Sequence, residues 1–470
     1  MTARTSGRAT LVLASLGVFL TSLDVVVVAT ALPTLRLRLG ASLSDLEWTI
    51  NAYNLVFACL MLTGAALGDR FGRRRTYVAG LAVFTGFSAA AALSTGATEL
   101  IAARIGQGVG AAIVLPLTLT LITDAFPIEK RGAAIGIWGG VSGLGVAAGP
   151  LLGGAIVEGL SWQWIFWINV PVGLAVIVGS WLLLPDGRGP RPFLDLPGLG
   201  LVGASLALLT WAPVRAPSVG WDSGEVLGAI AAGVALLVGF IVRERRAAHP
   251  MLPLEYFSRP GFSAPNAVAF LQFVSVLGSL FMITQFFQTG LGYSPLQAGL
   301  RILVWMAMPM LVAPGAGALG DRIGNGPLMF GGLLLQGTGL GWLGLVAEPG
   351  VGFGTLVAPL AVAGVGVAMC FPTVAAAVVS SVPAEGAAVA AGTSSALREL
   401  GGVFGIAVLA AVFAAHGGYA GPEEFIAGFR PAMAVAAAVP VLGLVAAGIA
   451  WGAEARARSL GPAVPAAVAA

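Results

Sequence analysis

Residues 64–75 read Gly64-Ala65-Ala66-Leu67-Gly68-Asp69-Arg70-Phe71-Gly72-Arg73-Arg74-Arg75, and the stretch from Ala66 to Gly72 returns as Ala318-Leu319-Gly320-Asp321-Arg322-Ile323-Gly324. Glycines permit a turn of only a few residues, Asp69 can cap the helix that follows, and arginines hold such a loop at an anionic membrane surface. One copy reads as a basic topology anchor. Two copies, each between long apolar stretches, read as the same tight loop in two related halves. The second copy carries Asn325-Gly326-Pro327 where the first has three arginines, so a gate built from both loops is expected to be asymmetric.

Around these loops the chain is apolar. Of its 470 residues, 57% are hydrophobic and 10% are charged, against about 25% charged in soluble domains. Mean hydropathy is +0.93. A crossing helix takes about 20 apolar residues. Apolar windows fall near 10–33, 48–68, 76–95, 99–123, 133–157, 164–184, 196–213, 225–242, 262–286, 298–319, 327–347, 353–380, 392–415 and 430–451. The class expected is an all-α polytopic membrane protein with about fourteen spans. The seventh and eighth windows are short, and the 381–391 break holds no basic residue. The first loop copy lies between spans two and three, the second between ten and eleven. Two plain six-helix halves would put the second copy between eight and nine. The offset therefore predicts a six-helix bundle over 1–184, an inserted helix pair with flanking cytoplasmic loops over 185–260, and a second six-helix bundle over 261–470.

Arginine placement orients the chain. Arg4, Arg8, Arg70, Arg73, Arg74, Arg75, Lys130, Arg131, Arg188, Arg191, Arg243, Arg245, Arg246, Arg259, Arg322, Arg456 and Arg458 fall on one side, and Arg36, Arg38, Arg215, Arg301 and Arg430 on the other. The positive-inside rule then places both termini in the cytoplasm and the protein in the cell (inner) membrane. Ala29-Thr30-Ala31 imitates a signal-peptidase site, but the stretch before it is long and is interrupted by Asp24, so an uncleaved first helix is expected. Cys59 and Cys370 make no disulfide framework, and His249 and His416 make no metal pair. A net charge of +3 with scattered basic residues does not suit nucleic acid. Without a nucleophile or metal constellation, an enzyme is not expected.

Helix four holds Arg104-Ile105-Gly106-Gln107-Gly108-Val109-Gly110. An arginine inside a span costs about 2.5–3.5 kcal/mol on insertion scales, so it either snorkels to the interface or has a partner. Gln107 shares its face one turn on. Helix five holds Gly145-Val146-Ala147-Ala148-Gly149-Pro150-Leu151-Leu152-Gly153-Gly154, where glycines four apart allow close approach and the proline removes a backbone bond. Trp162-Gln163-Trp164-Ile165-Phe166-Trp167-Ile168-Asn169-Val170-Pro171-Val172-Gly173 follows, part of it explicable as an aromatic belt.

Together these strings resemble the major facilitator superfamily, and within it the fourteen-helix drug–proton antiporters. The 64–75 loop resembles the superfamily's signature loop, the Arg104 string its second motif, and Gly145–Gly154 its antiporter motif. Leu23-Asp24 with Ala31-Leu32-Pro33, Gly292-Tyr293-Ser294-Pro295 with Ala298-Gly299, and Arg398-Glu399-Leu400-Gly401-Gly402 match the same family, so the likeness covers nearly the whole chain. It implies proton coupling at Arg104. Asp24 is the expected proton carrier, because mid-span desolvation favours the neutral acid, although an aspartate hydrogen-bonded across helices would look the same in sequence. The inner gate is expected from Gly64, Gly68, Asp69, Arg70, Gly72, Arg73, Asp124, Asp321, Arg322 and Arg398. The substrate cavity is expected from Asn54, Gln107, Phe273, Gln285, Trp305 and Met308, since methionine and aromatic walls adapt to varied apolar ligands. Spans nine to twelve hold no acidic residue in their interiors, and relatives that export dications use extra carboxylates there, so a dication specialist is disfavoured.

The expected activity is proton-driven export of hydrophobic drugs, antibiotics or natural products by alternating access. Protons, the substrate and the bilayer are the partners, the proton gradient replaces any cofactor, and the unit is a functional monomer. A transporter dedicated to one endogenous metabolite, or a transporter-like receptor without turnover, remain the alternatives.

Overall fold

The computed structural model describes residues 3–188, 195–247, 250, 254–383 and 386–459. Arg191 and His249 lie outside them, as do the side chains of Arg4 and Asp321. Every regular element among the described residues is helical. In chain order these are α1 (Ala3–Leu39), α2 (Leu43–Phe71), α3 (Arg73–Ala92), α4 (Ala97–Ala125), α5 (Ile128–Gly159), α6 (Trp164–Trp167), α7 (Asn169–Leu183), α8 (Leu196–Val219), α9 (Gly224–Arg246) and α10 (Leu254–Phe257). Then follow α11 (Pro260–Gln285), a π-helical turn over Phe286–Gly290, α12 (Pro295–Met306), α13 (Met308–Ile323), α14 (Asn325–Val346), α15 (Phe353–Ser380), α16 (Ala387–His416) and α17 (Pro422–Ser459).

Among the described residues twelve helices are long and apolar enough to cross a membrane, and the protein is a multi-pass membrane protein. The fourteen apolar windows fall on helices, the sixth divided at Ile168 between α6 and α7, but α2 and α3 are not among the twelve. α3 spends its first three positions on arginine. The tenth window also differs from a single rod. It divides at Ala307 into α12 and α13, where Pro309 enters the first turn of α13 and cannot donate a backbone N–H.

α1–α7 pack on one another, as do α11–α17; α8 and α9 pair with each other, and α8 also lies against α2 and α16. The two loop copies fold alike. Gly72 and Gly324 end one helix and begin the next with φ of 106° and 104°, a left-handed conformation that strains any residue with a Cβ. Each loop then docks on the end of the last helix of its group. Arg73 N–H donates to Gly187 O at 2.8 Å, and Arg75 pairs with Asp186 at 3.0 Å. In the second copy the Glu454 carboxylate accepts from the N–H groups of Asn325 and Gly326 at 3.0 and 2.8 Å, satisfying orphan donors at the start of α14. Glu454 thus accepts at the α14 start as the Gly187 carbonyl does at the α3 start. The molecular end carrying these loops is called the basic end below.

Candidate functional site: a buried ion pair and a one-sided seal

Five helices converge on Asp24 of α1. Arg104 Nη1 donates to Asp24 Oδ2 in a short contact, Gln107 Nε2 donates to Oδ1 at 3.2 Å, and Asn169 Nδ2 donates to Oδ1 at 3.0 Å. Arg104 also donates through Nε to Thr49 O at 3.0 Å and through Nη1 to Gln107 Oε1 at 3.0 Å, while its guanidinium lies 4.2 Å from the Tyr53 ring centre. Ser88 Oγ accepts from Gln107 at 2.7 Å and donates to Phe84 O at 2.9 Å. Asp24, Arg104, Gln107, Asn169, Ser88 and Tyr53 are all completely buried.

Arg104 therefore does not snorkel. The buried Asp24 carboxylate is held by three N–H donors, one of them a guanidinium. Removing either partner would strand the other in apolar surroundings. Asn169 and Ser88 were not expected here. Asn169 sits inside the tryptophan-rich string, where the belt explanation concealed a single amide facing inward.

Asp24 stands between residues that carry α1 against α5. A Cβ added at Gly145 would lie 3.0 Å from Phe19 O, one at Gly149 would lie 2.8 Å from Val26 Cβ, and one at Gly153 would strike Thr30. The three glycines thus form the face of α5 that beds on α1. Gly154 and Pro150 turn instead to α12, with Cβ positions at Gly154 and Gly299 lying 2.8 Å from Leu296 Cα and Pro150 C respectively. Ser294 caps α12 and Pro295 opens it, after a left-handed turn at Gly292 (φ 70°). Around this contact Glu158 accepts from Leu296 N–H at 3.0 Å and from Ser294 Oγ at 2.5 Å, and Gln288 donates to Thr30 O at 2.8 Å. Arg36 lies 3.6 Å over Tyr419, whose phenol donates to Gln285. Burial pushes the Tyr419 phenol up, which keeps that donor protonated. The end away from the basic loops is thereby sealed between the two groups of helices.

The basic end is not sealed. Gly136, Gly140 and Gly143 share the α5 face that carries Gly154, since 18, 14 and 11 residues are near-whole helical turns. Yet nothing lies within 4 Å of a Cβ at any of them. The same face that is in contact at Gly154 stands open about three to five turns away, so the two groups of helices diverge towards the basic end.

Of the expected inner gate, the structure joins Asp69, Arg73 and Asp124. Arg73 donates to Asp69 through Nη2 at 2.9 Å and to Asp124 in a short contact. Gly64 and Gly68 let α2 close on α4, with a Gly64 Cβ falling 2.9 Å from Ile113 Cα and a Gly68 Cβ meeting Leu117. Arg70 and Arg322 are exposed. Arg398 is not in this network: it lies between the rings of Phe273 and Phe371, facing α11 and α15. Of the expected substrate residues, Gln107 belongs to the Asp24 cluster, Asn54 is fully buried with its amide unpartnered, and Gln285 is held by Tyr419. Trp305 is buried, and Met308 packs beside Gly364. Phe273 alone of that set borders the Arg398 guanidinium.

Residues 14–405 match the Major Facilitator Superfamily profile. The tetracenomycin C resistance and export protein of Streptomyces glaucescens is 37% identical over 420 residues, covering 88% of this chain and 78% of that protein. The cephamycin export protein CmcT of Amycolatopsis lactamdurans is 35% identical and covers 94% of both chains. The multidrug resistance protein Stp of Mycobacterium tuberculosis is 35% identical over 86% of this chain and 76% of its own. Among solved structures, the peptide transporter POT in complex with sulfate superposes with a TM-score of 0.69 at 15% identity, over 97% of this chain and 98% of that one. The Escherichia coli xylose transporter XylE, in a partially occluded inward-open conformation, gives 0.62 at 13% identity, over 93% and 96%. From its profile, its relatives and its fold, this chain belongs to the major facilitator superfamily.

Proposed function

We propose that this protein exports hydrophobic antibiotics or other natural products from the cytoplasm, in exchange for protons, by alternating access. The observation that carries the reading is the wholly buried Asp24–Arg104 pair at the junction of five helices. The relatives named for export of, or resistance to, tetracenomycin C, cephamycin and multiple drugs favour this substrate class. A proton arriving on Asp24 cancels one member of the pair and loosens Arg104. α1 is then free to shift on α4, and because α1 beds on the glycine face of α5, the shift reaches the α5–α12 seal. The membrane potential adds about 2.3 kcal/mol per charge per 100 mV to such a cycle.

In this reading α2 and α3 also cross the bilayer, giving fourteen spans. Residues 1–184 and 261–470 are the two rocking bundles, and 185–260 is an inserted pair. The basic end and both termini face the cytoplasm of the cell membrane, so the conformation described is open to the inside. The protein works as a monomer, without a cofactor and without catalysing a chemical transformation. The test is uptake of tetracenomycin C into everted vesicles under an imposed acid-inside pH gradient. The gradient should drive accumulation and an uncoupler should abolish it; accumulation indifferent to the uncoupler would remove the antiport mechanism.

A further inference from the structure

Away from the Asp24 cluster, a cavity of about 90 Å³ lies between α11, α15 and α16. Its polar lining is Gln272, Ser394, Ser395 and Arg398, set in an otherwise apolar wall that includes Phe371. Arg398 is the twelfth residue of α16, so it stands roughly 16 Å along the helix from its start at the basic end. Its guanidinium is 4.9 Å from the Phe273 ring centre and 5.0 Å from that of Phe371, with both rings within cation–π range. The Glu399 carboxylate forms an ion pair with it at 3.7 Å, longer than an ordinary hydrogen bond. Nε is buried without a hydrogen-bond partner. Arg104 donates to a carboxylate, an amide and a carbonyl, whereas Arg398 makes a loose ion pair with Glu399, leaves Nε unpartnered, and borders a cavity with two hydroxyls and an amide.

We propose that Arg398, Phe273 and Phe371 form a subsite for the acidic end of an aromatic substrate, a carboxylate or ionised phenol carried on a ring. A guanidinium edge matches a carboxylate in two parallel bonds, Ser394 and Ser395 can donate further, and the phenylalanine rings offer stacking area beside it. The cavity is smaller than the roughly 150 Å³ that admits a whole benzene, so it takes the acid while the ring rests at Phe371, which is 44% exposed. A phospholipid headgroup supplies the same anionic chemistry, and the lipid arm of the test below separates the two sources. The subsite deepens the export reading and rests on it for the route by which the substrate arrives.

Binding is measured apart from transport, so the two readings fail separately. The full chain, in nanodiscs of phosphatidylcholine, is titrated with 2-naphthoate and with its neutral methyl ester. The acid should bind at least tenfold more tightly than the ester. Arg398→Gln should remove that preference and leave ester binding unchanged, the ester also reporting that the variant is folded, and Arg398→Lys should restore part of it. Equal affinity for acid and ester in the native protein, no binding of the acid, or equal loss of both in Arg398→Gln would overturn the subsite. So would loss of naphthoate binding when half the lipid is phosphatidylglycerol, which would assign the guanidinium to a headgroup. Preference for the acid without vesicle transport would instead contradict export and leave the subsite standing.

Discussion

Substituting Gly154→Ala places a methyl group 2.8 Å from Leu296 Cα, with the Pro295 carbonyl closer still. Ordinary contact begins near 3.4 Å, and both partners are backbone, so no rotamer change relieves the clash. α5 and α12 must separate by about 0.6 Å or more at the centre of the seal. Overpacking of this kind costs about 1–3 kcal/mol. In an alternating-access cycle the cost falls only on the conformation in which Gly154 meets Leu296, because the contact does not exist once these helices part. The ratio of the two conformations should therefore shift by roughly 5–150-fold towards the one open at this end. The assay is a spin–spin distance between Leu160→Cys and Leu300→Cys, both exposed beside the seal, in a chain lacking Cys59 and Cys370. The native protein should show mainly the short distance, and Gly154→Ala and Gly299→Ala should each populate a longer one. An unchanged distance distribution in both variants would refute the claim that these glycines set the closed end.

The remaining expectations concern the buried polar groups. Asn169→Ala removes one of three donors to Asp24, and since a hydrogen bond to a charged group contributes about 1.5–3 kcal/mol, thermal unfolding in nanodiscs should move down accordingly. Arg104→Gln leaves the Asp24 carboxylate buried without its cation and should cost about 3–5 kcal/mol, whereas Asp24→Asn with Arg104→Gln should recover much of the loss; equal stability of the single and double variants would contradict the ion pair. Asp195 caps α8, and although burial alone would raise its carboxyl, bonds from Arg243 and from Gly198 N–H outweigh burial and hold it below the usual carboxylate range. A depressed folded value means the stabilisation is present above about pH 3.9, the unfolded value, and fades as pH falls through the folded one. Asp195→Asn should thus flatten the acid limb of the melting-temperature profile, and a steeper limb would contradict the assignment.

The repeated loop was legible in sequence because its cause is local: a left-handed turn needs glycine, and Gly72 and Gly324 supply it wherever the surrounding helices lie. The glycine spacing in α5 was equally visible, but not its division of labour. Only packing reveals that Gly145, Gly149 and Gly153 bed on α1 while Gly154 meets α12. Asp24 and Arg104 stood out because ionisable residues are costly inside spans, yet nothing in their spacing said that they touch. Asn169 and Ser88 escaped notice because a small polar side chain carries no such penalty signal. The surroundings of Arg398 were hidden for a related reason. Its position near the start of a span suggested a place beside Asp69, while the rotation of α16 turns it to Phe273 and Phe371.

In the proposed exchange, Asp24 carries the proton that drives export. The most direct measurement is proton movement in proteoliposomes holding a trapped pH-sensitive dye, triggered by an outward gradient of tetracenomycin C. The native protein should move protons against the compound. Asp24→Asn should still bind the compound and move no protons. Proton movement by Asp24→Asn at the native rate would contradict the account.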